Sequence, residues 1–134
     1  MPEVLQALLF PVIIDYMSEV TDEISNIAAK ATVKNIPYKS EVNAALRSHR
    51  KVLRDKIYDV FLSRKVLNRY PLMRHVKSLE GSCFQKCIII MAGLDIEVSE
   101  MCDILQADED SITSQRSKRR KDIERIFGRK PWMK

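Results

Sequence analysis

A chain of 134 residues holds one domain, or a domain with a helical extension, and a hydrophobic fraction of 46% supplies a core. The 31% of charged residues, with only three glycines and five prolines, favour helices, which need few breakers and many Leu, Glu, Lys and Arg residues. Three cysteines, an odd number, and no cationic start before an apolar run argue against a secreted disulfide framework and for a reduced, cytoplasmic chain.

The net charge of +5 is unevenly spread. Residues 1–79 carry 13 basic and eight acidic side chains, and residues 80–113 carry one basic against eight acidic. Residues 114–134 carry nine basic against two acidic. A short electropositive end of this kind is the footprint expected of phosphate contact, or else a solvated helix face.

In chain order, residues 2–34 read as a helix with apolar positions at Leu5, Leu8, Leu9, Val12, Ile13, Tyr16, Val20, Ile24, Ile27 and Ala31. Pro11 is expected to break or kink it, because proline lacks the amide hydrogen and crowds the preceding turn. The apolar stretch 4–14 is too short to span a bilayer, and its polar side lacks a Lys/Arg face, so no membrane partner is expected. Ile13, Met17, Val20, Ile24 and Ile27 approximate a short heptad seam. They are candidates for a homodimer interface, or they cover the core of the monomer.

Pro37 marks a break, and Ser40 is the expected N-cap of a second helix over residues 41–68. Val42, Leu46, His49, Leu53, Ile57, Val60, Arg64 and Leu67 form its inner stripe. Arg47, Arg50, Lys51, Arg54, Lys65 and Arg69 lie on the opposite side. His49 has no acidic residue at matching spacing to orient it, so a packed side chain is expected rather than a base. A short helix over 72–79 follows. Gly81 then precedes Ser82, the expected cap of a buried helix over 83–92.

Cys83 and Cys87 share a helix face, but no histidine completes a tetrahedral set, so no metal is expected and the thiols read as small core groups. The chain has no phosphate-cradling glycine loop, no paired carboxylates in an acid/base frame and no nucleophile motif. No enzyme and no cofactor are expected from such a sequence.

Residues 92–123 read AGLDIEVSEMCDILQADEDSITSQRSKRRKDI. Gly93 is expected to stop the preceding helix. Val98, Met101, Cys102 and Leu105 form the apolar face of a short helix, and Gln106 and Ala107 the turn. Asp108 is the next N-cap, with Glu109 and Asp110 complementing the helix N-terminus. Ile112 begins the inner face of a helix expected to run on to Ile123, Ile126 and Phe127.

This segment resembles the LuxR-type helix-turn-helix, also found in region four of sigma factors. Gly93–Leu94 match its first element. Met101, Cys102 and Leu105 stand at its Ile, Ala and Leu places, Asp108 at the cap, and Ser111–Ile112 at its Thr-Val. Arg119 replaces an apolar residue of the family, so its head should snorkel to solvent or the helix should rotate. The resemblance implies that Thr113, Ser114 and Ser117 face double-stranded DNA. Gln115 belongs to the same recognition core, with Arg116, Lys118, Arg120 and Lys121 adding phosphate or base-edge contacts.

The expected architecture is therefore all-α. Long helices occupy an N-terminal region, residues 1–79, and a helix-turn-helix domain of three to four helices occupies residues 80–134. The expected function is a bacterial transcription regulator that dimerises on DNA. The competing reading is a helical protein-interaction module, an adaptor for RNA polymerase or a sigma factor, suggested by the acidic stretch before Thr113.

Overall fold

A computed structural model describes residues 1–133, and the described residues are helical with no strand. The order is α1 (Glu3–Lys34), α2 (Lys39–Phe61), α3 (Arg64–Arg69), a 3₁₀ segment (Pro71–Ser78), α4 (Cys83–Gly93), α5 (Val98–Leu105), α6 (Glu109–Lys118) and α7 (Arg120–Phe127).

Helices α1 and α2 form a hairpin. Leu5, Leu9 and Tyr16 of α1 enter the core, at spacings of four and seven that return them to one face. Pro11 does not break the helix. The carbonyl it leaves without a helical partner is that of Ala7, and both residues are exposed, so the break in the ladder lies on the solvent side of the helix. The unbroken α1 is long and apolar enough to cross a bilayer, unlike the shorter stretch legible in the sequence: an 18-residue window has mean hydropathy 1.4, with 17% of it buried. Asn35, in the left-handed region at φ 52°, closes the helix while the Ile36 amide reaches back to the Ala31 carbonyl at 3.1 Å.

The second helix starts at Lys39 without a side-chain cap from Ser40, and the span expected to be one helix is two. Ser63 is extended, and its hydroxyl donates to the Val60 carbonyl at 2.7 Å, a local alternative to the helical ladder. The bend lets Phe61 and Val66, both fully buried, reach the same core.

Helix α4 lies at the centre. The Ser82 side chain accepts from the Gln85 amide, and the Gln85 side chain accepts from the Ser82 amide, a complete capping box. The seven consecutive residues from Cys87 to Gly93 are buried, because neighbours cover the helix all round. Burying each of Ile88, Ile89 and Ile90 stabilises the fold by about 1.5–3 kcal/mol relative to exposure. Gly93 is the last residue of α4, and its role is close approach: a Cβ there would fall inside the Phe127 ring of α7. The positive φ after the helix belongs to Asp95, at 62°.

Helices α5 and α6 meet through Gln106, left-handed at φ 53°. The helix expected to run from Ile112 to Phe127 is interrupted at Arg119, where φ is −99° and ψ 13°. One buried cluster joins Leu5, Leu53, Ile57 and Met73 with Ile89, Met101, Ile112 and Ile123, so the core is continuous across residues 79 and 80.

Candidate nucleic-acid interface

The α5–α6 pair is assembled from the residues the sequence singles out. Met101 and Leu105 of α5 and Ile112 of α6 are fully buried, while Cys102 is half-buried between the helices. The Asp108 side chain accepts from the Ser111 amide at 2.8 Å. Ser111, through its side chain first and its amide second, holds the Asp108 carboxyl below its ordinary range. Ile112 is the buried residue of α6, so most of that helix stands in solvent or at half-burial.

The eight candidate DNA-contact residues divide by what they touch. Ser114, Ser117 and Lys118 on α6 and Lys121 on α7 are exposed. On α6, Ser117 and Lys118 follow Ser114 at steps of three and four and share its face, while Lys121 lies beyond the interruption at Arg119. Thr113 bonds its hydroxyl back to the Glu109 carbonyl at 2.9 Å. Gln115 faces inward, where its side-chain oxygen accepts from Gln85 Nε2 at 3.1 Å. Arg116 lays its guanidinium over the Trp132 ring, 4.2 Å from the centroid, and burial there pulls its pKa down. Arg120 is half-buried. The outward set thus narrows to Ser114, Ser117, Lys118 and Lys121, because Gln115 and Arg116 are engaged in holding α6 to its neighbours.

Arg119 does not leave its head in solvent: the side chain is only 19% exposed and its polar atoms meet the protein. Its Nη2 donates to the Glu80 carbonyl at 2.6 Å, and its Nε pairs with Asp122 at 3.1 Å. Gly81, at φ 136°, lets the chain turn beneath that guanidinium.

The residues expected to form a dimer seam do not share one exposure. Ile13 and Val20 pack against the core, Ile24 and Ile27 are half-buried, and Met17 is 54% exposed. Met17 shares its exposed face with Phe10 and Ile14, 64% and 45% exposed, at spacings of four and three. Sequence spacing named Met17 but not Phe10 and Ile14 of this outer stripe.

Two further features escaped the sequence. His49 meets Glu23 through Nε2, with Glu19 4.0 Å from Nδ1, so α1 supplies the acids that α2 lacks. The recess beside this imidazole, between Tyr16 and Lys56, has a volume of only about 10 Å³ and admits no substrate. The second feature is a cleft of about 890 Å³ between α2 and the α5–α6 turn. Arg47, Arg50, Lys51 and Arg54 line one wall, and Asp108 and Ser111 belong to the other.

Among the described residues, no group of three or more His, Cys, Asp or Glu is placed to hold a metal. Burial, then Cys83, pushes the Cys87 thiol well up, which keeps it protonated and unreactive at neutral pH. Burial followed by Asp55 raises Cys83 as well. No protein-family model, no curated protein and no solved structure matches the chain, so any reading of its function rests on the side chains described here.

Proposed function

We propose that the chain is a bacterial transcription regulator that binds double-stranded DNA through α6, the second helix of a helix-turn-helix formed by α5 and α6. The observation that carries this reading is the division of α6 into an anchored and a free side. Ile112, Gln115 and Arg116 fasten the helix, whereas Ser114, Ser117 and Lys118 stand exposed in one row. A short helix held in this way presents small hydroxyls and a cation to a groove, where Ser bonds either base type and Lys contacts phosphate.

Glu109 and Asp110 oppose phosphate at the N-terminal end of α6, while stabilising the helix itself. Their presence predicts modest affinity, and neutralising both raises it. Dimer formation is part of the proposal, because a single module of this kind binds weakly. The exposed stripe Phe10, Ile14 and Met17 is the apolar surface available for it.

The same stripe supports a second reading, a protein-interaction module docking on polymerase or a sigma factor. Exposed apolar residues in a row on a long helix suit a partner helix. A cytoplasmic location accompanies both readings.

Fluorescence anisotropy with a labelled random-sequence duplex, across a salt series, separates the two. DNA binding through α6 gives affinity that falls steeply with salt and is lost in Lys118→Ala/Lys121→Ala. No binding by the unaltered chain at low salt overturns the DNA reading and favours the protein partner.

A further inference from the structure

The basic wall of α2 belongs to the region expected to dimerise, and nothing in the helix-turn-helix itself accounts for it. Arg47, Arg50, Lys51 and Arg54 are spaced three, four and seven apart on an uninterrupted 23-residue helix, so they share a face. The helix is immobilised from behind by Leu53, Ile57 and Phe61, all buried. The row therefore holds a fixed position relative to the α5–α6 turn.

Arg54 is committed to the fold. Its Nε donates to the Leu105 carbonyl at 3.0 Å and its Nη2 to the Gln106 carbonyl at 3.2 Å, closing the end of α5. Its guanidinium also stacks on Phe84, 4.1 Å from the ring centroid. Arg47, Arg50 and Lys51 have no ion pair or hydrogen bond among the described residues.

Two carboxylates, Asp55 and Asp108, also line the cleft and offset part of its positive charge, but neither forms an ion pair with these three cations. Asp108 is occupied with the Ser111 amide, and Asp55 faces the Cys83 thiol. Burial lowers the Arg54 pKa, and the nearby charge of Arg50 lowers it further. Like charges held together cost free energy that a bound anion relieves.

We infer that the cleft between α2 and the α5–α6 turn holds the phosphodiester backbone of the duplex that α6 reads, with Arg47, Arg50 and Lys51 as its phosphate contacts. The inference rests on the DNA-binding reading of α6. Continuity supports a strand over a small phosphate compound. Ser111 lines the cleft and lies one turn before Ser114, so a chain leaving the cleft runs directly onto the exposed stripe.

Length supports it too. The free row from Arg47 to Lys51 spans roughly 6 Å at the rise of an α-helix. One DNA strand presents a phosphate about every 3.4 Å along the axis, so the row addresses two or three of them. Cations thus flank the α6 stripe at both ends, α2 at the first turn and Lys118 at the last, with Lys121 beyond it. The N-terminal region is then a part of the nucleic-acid interface and positions the duplex without reading its sequence.

The test is anisotropy with the full chain and a labelled duplex from 50 to 200 mM salt, comparing three variants that keep native circular dichroism. Removing three phosphate contacts in Arg47→Gln/Arg50→Gln/Lys51→Gln should flatten the log–log salt slope by about two to three and weaken binding about tenfold or more. Arg47→Lys/Arg50→Lys, which keeps the charge, should retain the slope. An unchanged slope in the glutamine variant, with binding still abolished by Lys118→Ala/Lys121→Ala, overturns the cleft proposal and leaves the α6 reading standing. Absence of duplex binding by the unaltered chain overturns both. Inorganic pyrophosphate that binds the unaltered chain and not the glutamine variant, with duplex affinity equal in the two, also overturns the proposal in favour of a small-molecule site.

Discussion

Helices α4 and α6 are nearly equal in length, at 11 and 10 residues, and they pack against each other. Seven consecutive residues of α4 are buried, whereas Ile112 is the buried residue of α6. The first helix holds the molecule together and presents almost nothing. The second contributes one deep anchor and leaves a row of side chains free. Stability is thereby concentrated in α4, and under the proposed function recognition falls to α6, so a substitution in one should leave the other property nearly untouched.

The largest test of that division is Ile89→Ala in α4. A fully buried isoleucine cut to alanine should cost about 2–5 kcal/mol in chemical denaturation. A loss below about 1 kcal/mol would show that the site collapses freely and that α4 is not the mainstay.

Gly93→Ala comes next. Alanine gains about 1 kcal/mol over glycine in a helix, but its methyl would enter the Phe127 ring, and overpacking costs typically about 1–3 kcal/mol. Net destabilisation is expected, with partial recovery in Gly93→Ala/Phe127→Leu. If the single variant is stabilised, α7 yields easily and the contact is not a constraint.

Asp108→Ala sharpens the comparison by removing the cap of α6. It should lower Tm by a few degrees at neutral pH. The folded state holds this carboxyl below its usual value, so its stabilisation is present above the ordinary aspartate range. The stabilisation is lost as pH falls through the lowered value. The Tm gap between the unaltered chain and the variant should therefore close in acid, and a gap that persists would assign the effect to something other than ionisation.

The smallest effect belongs to Ser114→Ala/Ser117→Ala. These exposed positions should change stability by less than about 0.5 kcal/mol while altering which duplexes are preferred. A large stability loss would mean that the outer row is structural.

Local signals in the sequence located α4, α5 and the start of α6 because each is written in neighbouring residues. Ser82 with Gln85, Asp108 before its acidic turn, and the spacing of Met101, Leu105 and Ile112 are all short-range patterns. What escaped depends on contacts between distant parts of the chain. The break at Ser63 follows from bringing Phe61 and Val66 to a shared core, and the stop at Arg119 accompanies a bond to Glu80, 39 residues earlier. Pro11 was tolerated because it faces water, which periodicity alone does not reveal. The candidate site was legible to the same extent: Ser114, Ser117, Lys118 and Lys121 were named, but the diversion of Arg116 to Trp132 and the cleft beside α2 required the folded arrangement.

The stacking of Arg116 on Trp132 has a practical consequence. Trp132 is the chain's single tryptophan, and it is pressed against the inner side of α6. The protein therefore carries its own optical gauge, needing no attached dye. Emission that holds its wavelength during titration with duplex reports a helix seated throughout, while a red shift reports α6 lifting away from the body of the molecule.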